Sequence, residues 1–265
     1  MSRVALMQRR VCSTAVTGLL LLGLWGAWAA PLAAQPESPL PASWQQIDDL
    51  NDAKDFDGAF ALLEPLAGDY GSDVEYLWRR ARHHFNVSDN TTDEALIEEE
   101  LYRGLEFARS ALAADSSSAW AHGYHGILIG RVGEIEGTKQ KIINSYAVRD
   151  HTMRAIALDP EYAGWQHVMG RWHYALSDLS WIERTVASIV YETPPAASFE
   201  EAEQYFARAA QLAPDDIRHF LWLGKTRLQL GKDSPARASL KQAVALPAKS
   251  GSDAILQEEA RELLD

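Results

Sequence analysis

The sequence predicts an all-α protein made of stacked helix pairs, and three observations lead to that class. Small and large apolar residues recur 34 positions apart in the same order, as Ala202, Phe206 and Ala209 and then as Ala236, Leu240 and Ala243. Steps of four and three residues place each set on one helix face. No run of alternating β-branched residues predicts a strand. A period of 34 with this pattern is that of the tetratricopeptide repeat, whose helix pairs stack into a superhelical solenoid with a concave groove.

The repeat period is interrupted by an insertion of 20 residues. Gly224 and Ala236 are 12 residues apart, which is the spacing of an uninterrupted repeat. The corresponding residues of the preceding repeat, Gly170 and Ala202, are 32 residues apart. The sequence therefore predicts an elaborated connection between the two helices of that repeat, at about residues 179–198.

A second, shorter insertion lies one repeat earlier. Ala111 and Ala155 are 44 residues apart, which is one period plus ten, and the additional residues fall around 133–143. We predict a repeat domain over residues 44–265 with four helix pairs, and a fifth, atypical pair at 47–66 that caps the array.

Residues 1–34 have the pattern of a secretory signal peptide. Three arginines precede an apolar stretch at residues 16–30, and small residues follow as far as Ala34. We expect export to the periplasm or the outside of the cell; the alternative is membrane anchoring by the uncleaved apolar stretch. Residues 35–43 contain three prolines and are predicted to be a disordered spacer.

Composition and charge exclude several classes of function. The formal net charge is −12, and cleavage after Ala34 would remove three arginines and no acid, which gives −15. Such an acidic chain is not expected to bind nucleic acid. The single cysteine, Cys12, lies in the predicted signal peptide, so disulfides, thiolate metal sites and cysteine nucleophiles are excluded from the mature chain.

Unusual sequences in and around the insertions resemble a known family. Residues 130–142 read GRVGEIEGTKQKI, residues 170–172 read GRW, residues 179–184 read LSWIER and residues 193–195 read TPP. This combination closely resembles the regulator of microtubule dynamics family over about residues 100–250. The resemblance implies the same repeat fold.

The resemblance also implies two kinds of partner. Eukaryotic members of the family associate with microtubules, and a membrane-anchored branch is reported to bind and transfer phospholipid through its repeat domain. An exported bacterial protein would meet no microtubules, so that role is expected only if the chain is eukaryotic. A phospholipid partner remains an expectation for the groove.

The concave groove is the candidate binding surface. Positions 2, 5, 9 and 12 of the first helix of each pair are expected to face it, and several hold basic residues: Arg82, His167, Arg171, Arg218 and Lys225. In an acidic protein these residues would attract a carboxylate, a phosphate or an acidic peptide. The alternative is that they form ion pairs with acidic residues between the stacked helices.

The longer insertion predicts an amphipathic helix, since its apolar residues recur at steps of three and four. As a lid over the groove it would contact an acyl chain through five residues: Trp181, Ile182, Arg184, Val186 and Ile189. The alternative is that this helix packs its apolar face on the core of the array.

A second candidate anion site lies at the start of a helix predicted near Thr138. Free backbone N–H groups at such a start attract anions, and Lys139 and Lys141 lie close by. The spacing of Gly133 and Gly137 does not match a phosphate-binding loop, and no strand precedes it, so ATP binding by that mechanism is excluded.

The sequence contains no catalytic or metal-binding motif that we recognise. No H-E-x-x-H pattern and no nucleophile-elbow setting is present. We therefore predict a non-enzymatic adaptor without cofactor, whose groove binds a phospholipid head group or an acidic peptide. The alternative is a purely structural scaffold for protein assembly in the periplasm or cell envelope.

Export gives the first testable prediction. Mass spectrometry of the mature protein is expected to place its N-terminus at or near Gln35, because signal peptidases cut after small residues. Recovery of soluble cytosolic protein that retains Met1 would contradict export.

Overall fold

A computed structural model describes residues 42–180, 185, 188 and 195–265 of the chain. Over these residues the secondary structure is helical and contains no strand, which confirms the predicted all-α class. The predicted signal peptide, most of the predicted spacer and the five predicted lid residues lie outside the described residues.

Short turns join most successive helices, whereas residues 178–198 separate the eighth helix from the ninth. In chain order they are α1 (Ala42–Asp52), α2 (Phe56–Leu63), α3 (Ala67–Tyr70), α4 (Val74–Asp89), α5 (Glu94–Ala114), α6 (Ala119–Ile135), α7 (Thr138–Leu158), α8 (Ala163–Ser177), α9 (Phe199–Leu212), α10 (Ile217–Gln229), α11 (Asp233–Ala245) and α12 (Gly251–Glu262). A 3₁₀ turn, Glu64–Leu66, joins α2 to α3. Because α1 begins at Ala42, the last two residues of the predicted spacer are helical.

Helix pairing follows the repeat. The helices α4 and α5, α6 and α7, α8 and α9, and α10 and α11 pack on each other, and each pair also packs on the next. At the N-terminal end α1 packs on α2, and at the C-terminal end α12 covers α10 and α11. Many helices begin with an Asp or Ser whose side chain accepts a hydrogen bond from the first turn, as Asp93 does for α5 and Ser118 for α6.

The two sets of residues that define the period occupy the same environment. All six are completely buried: Ala202, Phe206, Ala209, Ala236, Leu240 and Ala243. Equal burial at a spacing of 34 confirms that α9 and α11 are equivalent second helices of successive repeats.

In two helix pairs, a glycine on the first helix (α8 or α10) leaves room for a large side chain of the second helix. A Cβ added to Gly170 would lie 2.6 Å from the Phe206 ring, and one added to Gly224 would lie 2.6 Å from Leu240. Backbone and side chain are therefore in direct contact, because only glycine leaves room for them.

The shorter insertion lengthens two helices and does not form an irregular loop. With 17 and 21 residues, α6 and α7 are longer than α10 and α11, which have 13 each. The turn between them is tight, because Gly137 has a φ of 93° that other residues rarely adopt. Asn144 donates a hydrogen bond to the Ile129 carbonyl at 2.8 Å and fastens α7 to α6.

None of the helices in the described ranges combines the length and the apolarity needed to cross a bilayer. The stretch at 16–30, predicted as an alternative anchor, lies outside those ranges.

The glycine contacts predict a stability difference. Gly170→Ala is expected to lower the free energy of unfolding by about 1–3 kcal/mol, because the buried Phe206 ring has no space to move into. Gly68→Ala is the matched control, since no atom lies within 4 Å of the added methyl group in α3. This control is expected to gain about 0.5–1 kcal/mol from helix propensity. Urea denaturation measures both, and equal effects would contradict the packing role of Gly170.

Candidate functional site

The concave face brings together groups that are far apart in sequence. Arg82 lies in α4 and Arg218 in α10, yet the positive charges of both act on the phenols of Tyr124 and Tyr162. Burial raises the pKa of each phenol, and the two arginines oppose that effect.

Arg82 is buried and forms an ion pair. Its Nη2 donates to Asp48 Oδ1 at 2.6 Å, and Arg79 donates to both oxygens of the same carboxylate. Its guanidinium also lies 4.9 Å from the centre of the Trp78 ring. The predicted groove cation at this position thus has a carboxylate partner.

Arg218 is paired in the same way, with a residue two positions away. Its Nε and Nη2 donate to the Asp216 carboxylate, at 3.0 and 2.6 Å for the shortest contacts. Burial disfavours the charged form of Asp216, but the hydrogen bonds and charge of Arg218 outweigh it and hold the pKa of that carboxyl below its usual range. Lys225 likewise donates to Glu259 at 2.5 Å.

His167 adds no positive charge at neutral pH. Its Nδ1 lies 3.0 Å from Nδ1 of His219, which is 1% exposed. Burial and the neighbouring imidazole hold the pKa of His167 well below its usual value. A hydrogen bond between two Nδ1 atoms requires one donor and one acceptor, so the pair is stable with both rings neutral.

Arg171 differs from the other cations of the groove. Among the described residues it has no carboxylate within ion-pair distance, and its guanidinium lies 4.0 Å from the centre of the Trp222 ring. Lys225 Nζ lies 4.3 Å from the same ring. Burial lowers the pKa of Arg171, and the more distant Glu134 opposes that shift. Burying a guanidinium without a hydrogen-bonded anion costs free energy, so among the described groove residues Arg171 is the one that a bound anion would stabilise most.

A fourth residue completes what we call the tryptophan site, which consists of Arg131, Arg171, Trp222 and Lys225. Arg131 has only long contacts to acids, 3.4 Å to Asp89 and 3.6 Å to Glu134. Its Nε is buried and lacks a hydrogen-bond partner among the described residues. Three adjacent first helices, α6, α8 and α10, thus supply the cations of this site.

Aromatic side chains line another part of the groove, between α4 and α8. Trp120 stacks on Trp78 at 4.5 Å between ring centroids, and Tyr162 lies 4.6 Å from both Trp120 and Trp165. Tyr124 is 6% exposed and lies beside the same rings. Its hydroxyl and that of Tyr162 form no hydrogen bond within the described residues.

We call the second cluster the tyrosine site: Trp78, Trp120, Tyr124 and Tyr162, with the Arg82 guanidinium over the Trp78 ring. Sequence reasoning missed its tyrosines, because apolar and aromatic residues on first helices also fit a core. The sequence nevertheless contained a signal. Arg218 was selected because it lies six residues before Gly224, and Trp120 lies at the same repeat position, six residues before Gly126. Because only charged residues were selected at these positions, the aromatic residues that line the groove were not identified.

The predicted anion site at the start of α7 lies at the tip of the α6–α7 hairpin. Thr138 and Lys139 are exposed and Lys141 is half-buried. The residue before α7 is Gly137, whose lack of a side chain leaves the first N–H groups without a side-chain cap. Of the four residues of the tryptophan site, Arg131 belongs to the same hairpin, and the other three lie on α8 and α10.

Histidines gather at one further place. His122 Nδ1 lies 2.9 Å from His151 Nδ1, and the ring of His125 lies 4.2 Å from that of His151. Within the described part of the chain, no three His, Cys, Asp or Glu residues are arranged to hold a metal ion.

Comparison with known proteins identifies relatives over nearly the whole described chain. The profile of the family described as Regulator of microtubule dynamics protein 1-3 matches residues 43–265. Regulator of microtubule dynamics protein 1 from Bos taurus is 36% identical over 222 residues, which cover 83% of this chain and 69% of that protein. Regulator of microtubule dynamics protein 3 from Mus musculus is 33% identical over 82% of this chain and 47% of its own length.

Solved structures resemble the fold at low sequence identity. A tetratricopeptide-repeat protein from Thermus thermophilus gives a TM-score of 0.59 at 16% identity, covering 84% of this chain and 97% of that one. The pilF protein of Pseudomonas aeruginosa gives 0.50 at 15% identity, covering 84% and 86%. These similarities show the repeat architecture.

Burial of His219 predicts a pH dependence of stability. Burial lowers its pKa to about 4, whereas an unfolded histidine has a pKa of about 6.5. Between these values the unfolded chain binds the additional proton, so stability is full above pH 6.5 and is lost as the pH falls toward 4. His219→Gln is expected to reduce the slope of the free energy of unfolding against pH by about 1 kcal/mol per pH unit. Urea denaturation at about pH 7, 6 and 5 measures the slopes, and parallel slopes would exclude this role.

Proposed function

This chain belongs to the regulator of microtubule dynamics family, and we propose that it is a non-enzymatic adaptor whose concave groove binds an acidic segment of a partner protein. The tetratricopeptide-like fold supports protein binding, because stacked repeats present an extended concave surface for a ligand. The family relationship supports the same class.

Arg171 carries the proposal. Its charge lies in a desolvated part of the groove without a hydrogen-bonded carboxylate among the described residues, and Trp222 fixes its position. A carboxylate from a ligand would form charge-assisted, planar contacts with it. Lys225 lies over the same ring, so one ligand carboxylate would meet two cations.

The lining of the groove favours a polypeptide over a lipid. Much of the described surface near Arg82 and Arg218 consists of ion pairs, with tyrosine hydroxyls beside them. Backbone amides of an extended peptide can hydrogen-bond to such groups, whereas acyl chains cannot. A phospholipid head group on the tryptophan site is therefore the second form of the anionic-ligand hypothesis.

One observation favours a purely structural scaffold. Arg82, Arg218 and Lys225 are each bound to a carboxylate of this chain, as expected if groove charges serve to hold helices together. In that alternative the convex face and helix ends bind partners and the groove stays empty.

Location remains a separate proposal. The pattern at residues 1–34 supports export, and the adaptor would then act in the periplasm or outside the cell. The affinity of the groove for a ligand does not depend on this cellular location.

Charge reversal tests the groove. With a fluorescein-labelled hexaglutamate peptide as probe, Arg171→Glu combined with Lys225→Glu is expected to weaken binding by about tenfold or more, since charge-assisted hydrogen bonds contribute about 1.5–3 kcal/mol. The matched control is Arg208→Glu with Arg261→Glu, which makes the same change of charge at residues that are 42% and 47% exposed. Fluorescence anisotropy measures both, and the control is expected to bind as the native protein does.

The outcomes separate the hypotheses. If phospholipid co-purifies with the native protein but not with the double variant, and no peptide binds, the ligand is a lipid and not a peptide. Absence of binding to hexaglutamate and to anionic vesicles would favour the scaffold.

A further inference from the structure

Three histidines meet where α6 packs on α7, at the end of this helix pair that lies away from the hairpin tip. His122 and His125 are near the start of α6, and His151 is near the end of α7. Nδ1 of His122 lies 2.9 Å from Nδ1 of His151. The rings of His125 and His151 are 4.2 Å apart between centroids. Pairing of the two helices thus places three imidazoles side by side.

The ring of His122 is held with one nitrogen directed at His151. Its Nε2 lies 3.0 Å from the Ser116 carbonyl oxygen, in the turn before α6, and a carbonyl oxygen only accepts, so Nε2 carries a proton. In the neutral ring Nδ1 then has a free lone pair, and this lone pair faces His151. A histidine that ligates a metal typically donates its other N–H to a backbone carbonyl or carboxylate, which fixes the ring in this way.

The histidine pair is neutral enough and open enough to accept a cation. Burial lowers the pKa of His151, with His122 adding to the shift and Asp150 opposing it, so the neutral ring is favoured at pH 7. Both rings of the pair are half-buried, so an ion can reach them from solvent. The charged side chains that act on the cluster are those of Asp115, Asp150 and Arg109. Two of these three are acids, which favours a cation.

The separation of the two nitrogens fits neighbouring positions around a metal ion. Metal bonds to imidazole nitrogen are about 2.0–2.1 Å long, so two nitrogens 2.9 Å apart subtend an angle of about 90° at the ion. A tetrahedral ion would require a separation of about 3.3 Å. The right angle is that of square-planar or tetragonal Cu²⁺ and Ni²⁺, and Cu²⁺ binds nitrogen ligands more tightly than the other divalent ions of its row.

His125 supplies a buried polar atom beside the pair. Its side chain is 8% exposed, and its Nδ1 has no hydrogen-bond partner among the described residues. In the described chain no group of three His, Cys, Asp or Glu residues is arranged around a metal position, so water would fill the other positions of an ion held by two histidines. A bound water is a hydrogen-bond partner of the kind that His125 lacks.

A second histidine pair has the same spacing in a different environment. Nδ1 of His167 lies 3.0 Å from Nδ1 of His219, but the latter side chain is 1% exposed. The positive charges of Arg171 and Arg218 act on His167, and the nearby Asp216 is already bound to Arg218. Two neighbouring positive charges and the burial of His219 disfavour a divalent cation there, so this pair serves as the comparison.

We propose that His122 and His151 bind a Cu²⁺ ion through their Nδ1 atoms, with water in the remaining positions. Without the ion, His151 Nδ1 donates a hydrogen bond to His122 Nδ1; on binding, that proton moves to Nε2 of the same ring, so that both Nδ1 lone pairs face the ion. The ion joins the start of α6 to the end of α7. This inference is independent of the proposed function, since neither histidine belongs to the tryptophan site.

Calorimetric titration of the tag-free protein with CuCl₂, in a buffer that contains glycine as a weak competitor, tests the site. His122→Gln and His151→Gln are each expected to weaken Cu²⁺ binding at least about 100-fold, because loss of even a supporting hydrogen bond to a ligating histidine costs about 10–100-fold. The matched control is His167→Gln, which breaks the histidine pair of equal spacing and is expected to bind Cu²⁺ as the native protein does. Circular dichroism verifies that each variant folds.

Pulsed electron paramagnetic resonance identifies the ligands in the native protein without any variant. Two imidazoles coupled to one Cu²⁺ ion are expected in the native protein. Absence of Cu²⁺ binding, a spectrum without two imidazoles, native affinity in His122→Gln or His151→Gln, or an equal loss in His167→Gln would overturn the inference. Hexaglutamate binding is expected to be unchanged in His122→Gln and His151→Gln, so this inference and the proposed function succeed or fail separately.

Discussion

Direct contact between a glycine backbone and a large apolar side chain determines how closely the helices of a pair approach. Gly170 against Phe206 and Gly224 against Leu240 are the same contact, one repeat apart. A helix pair of this kind cannot bury its remaining apolar surface alone, so each pair packs on the next. First helices of neighbouring pairs also contact one another, α4 with α6 and α8 with α10, and they carry the residues of the candidate site.

Electrostatics inside the groove differ from those of the whole chain. The formal net charge is −12, yet the first helices carry the basic residues predicted for the groove, Arg82, Arg171, Arg218 and Lys225. Most of them are neutralised in place, as Arg82 is by Asp48 and Arg218 by Asp216. Ion pairing offsets the desolvation cost of burying a lone charge and fixes each guanidinium in one orientation. Among the described residues, Arg82, Arg218 and Lys225 thus each have a carboxylate partner, whereas Arg171 has none within ion-pair distance.

The shorter insertion illustrates how added sequence changes a repeat without changing its packing. Its residues extend α6 and α7, and Asn144 fastens the extension to the Ile129 carbonyl. Arg131 precedes the inserted residues, at the position that Gln229 holds in α10, so its place in the tryptophan site does not depend on the extension.

The sequence by itself determined the helical class, the period of 34, the equivalence of Ala202 with Ala236, and the family. These depend on local periodicity and on contacts within a pair, and such contacts recur at fixed spacing. It also predicted the concave positions, including Arg171. Only the tertiary structure decided that Arg82 is neutralised by Asp48 and Lys225 by Glu259, that His167 is paired with His219, and that Trp120 packs on Trp78 and Tyr162. Those outcomes depend on contacts between residues far apart in the chain, which no local pattern reveals.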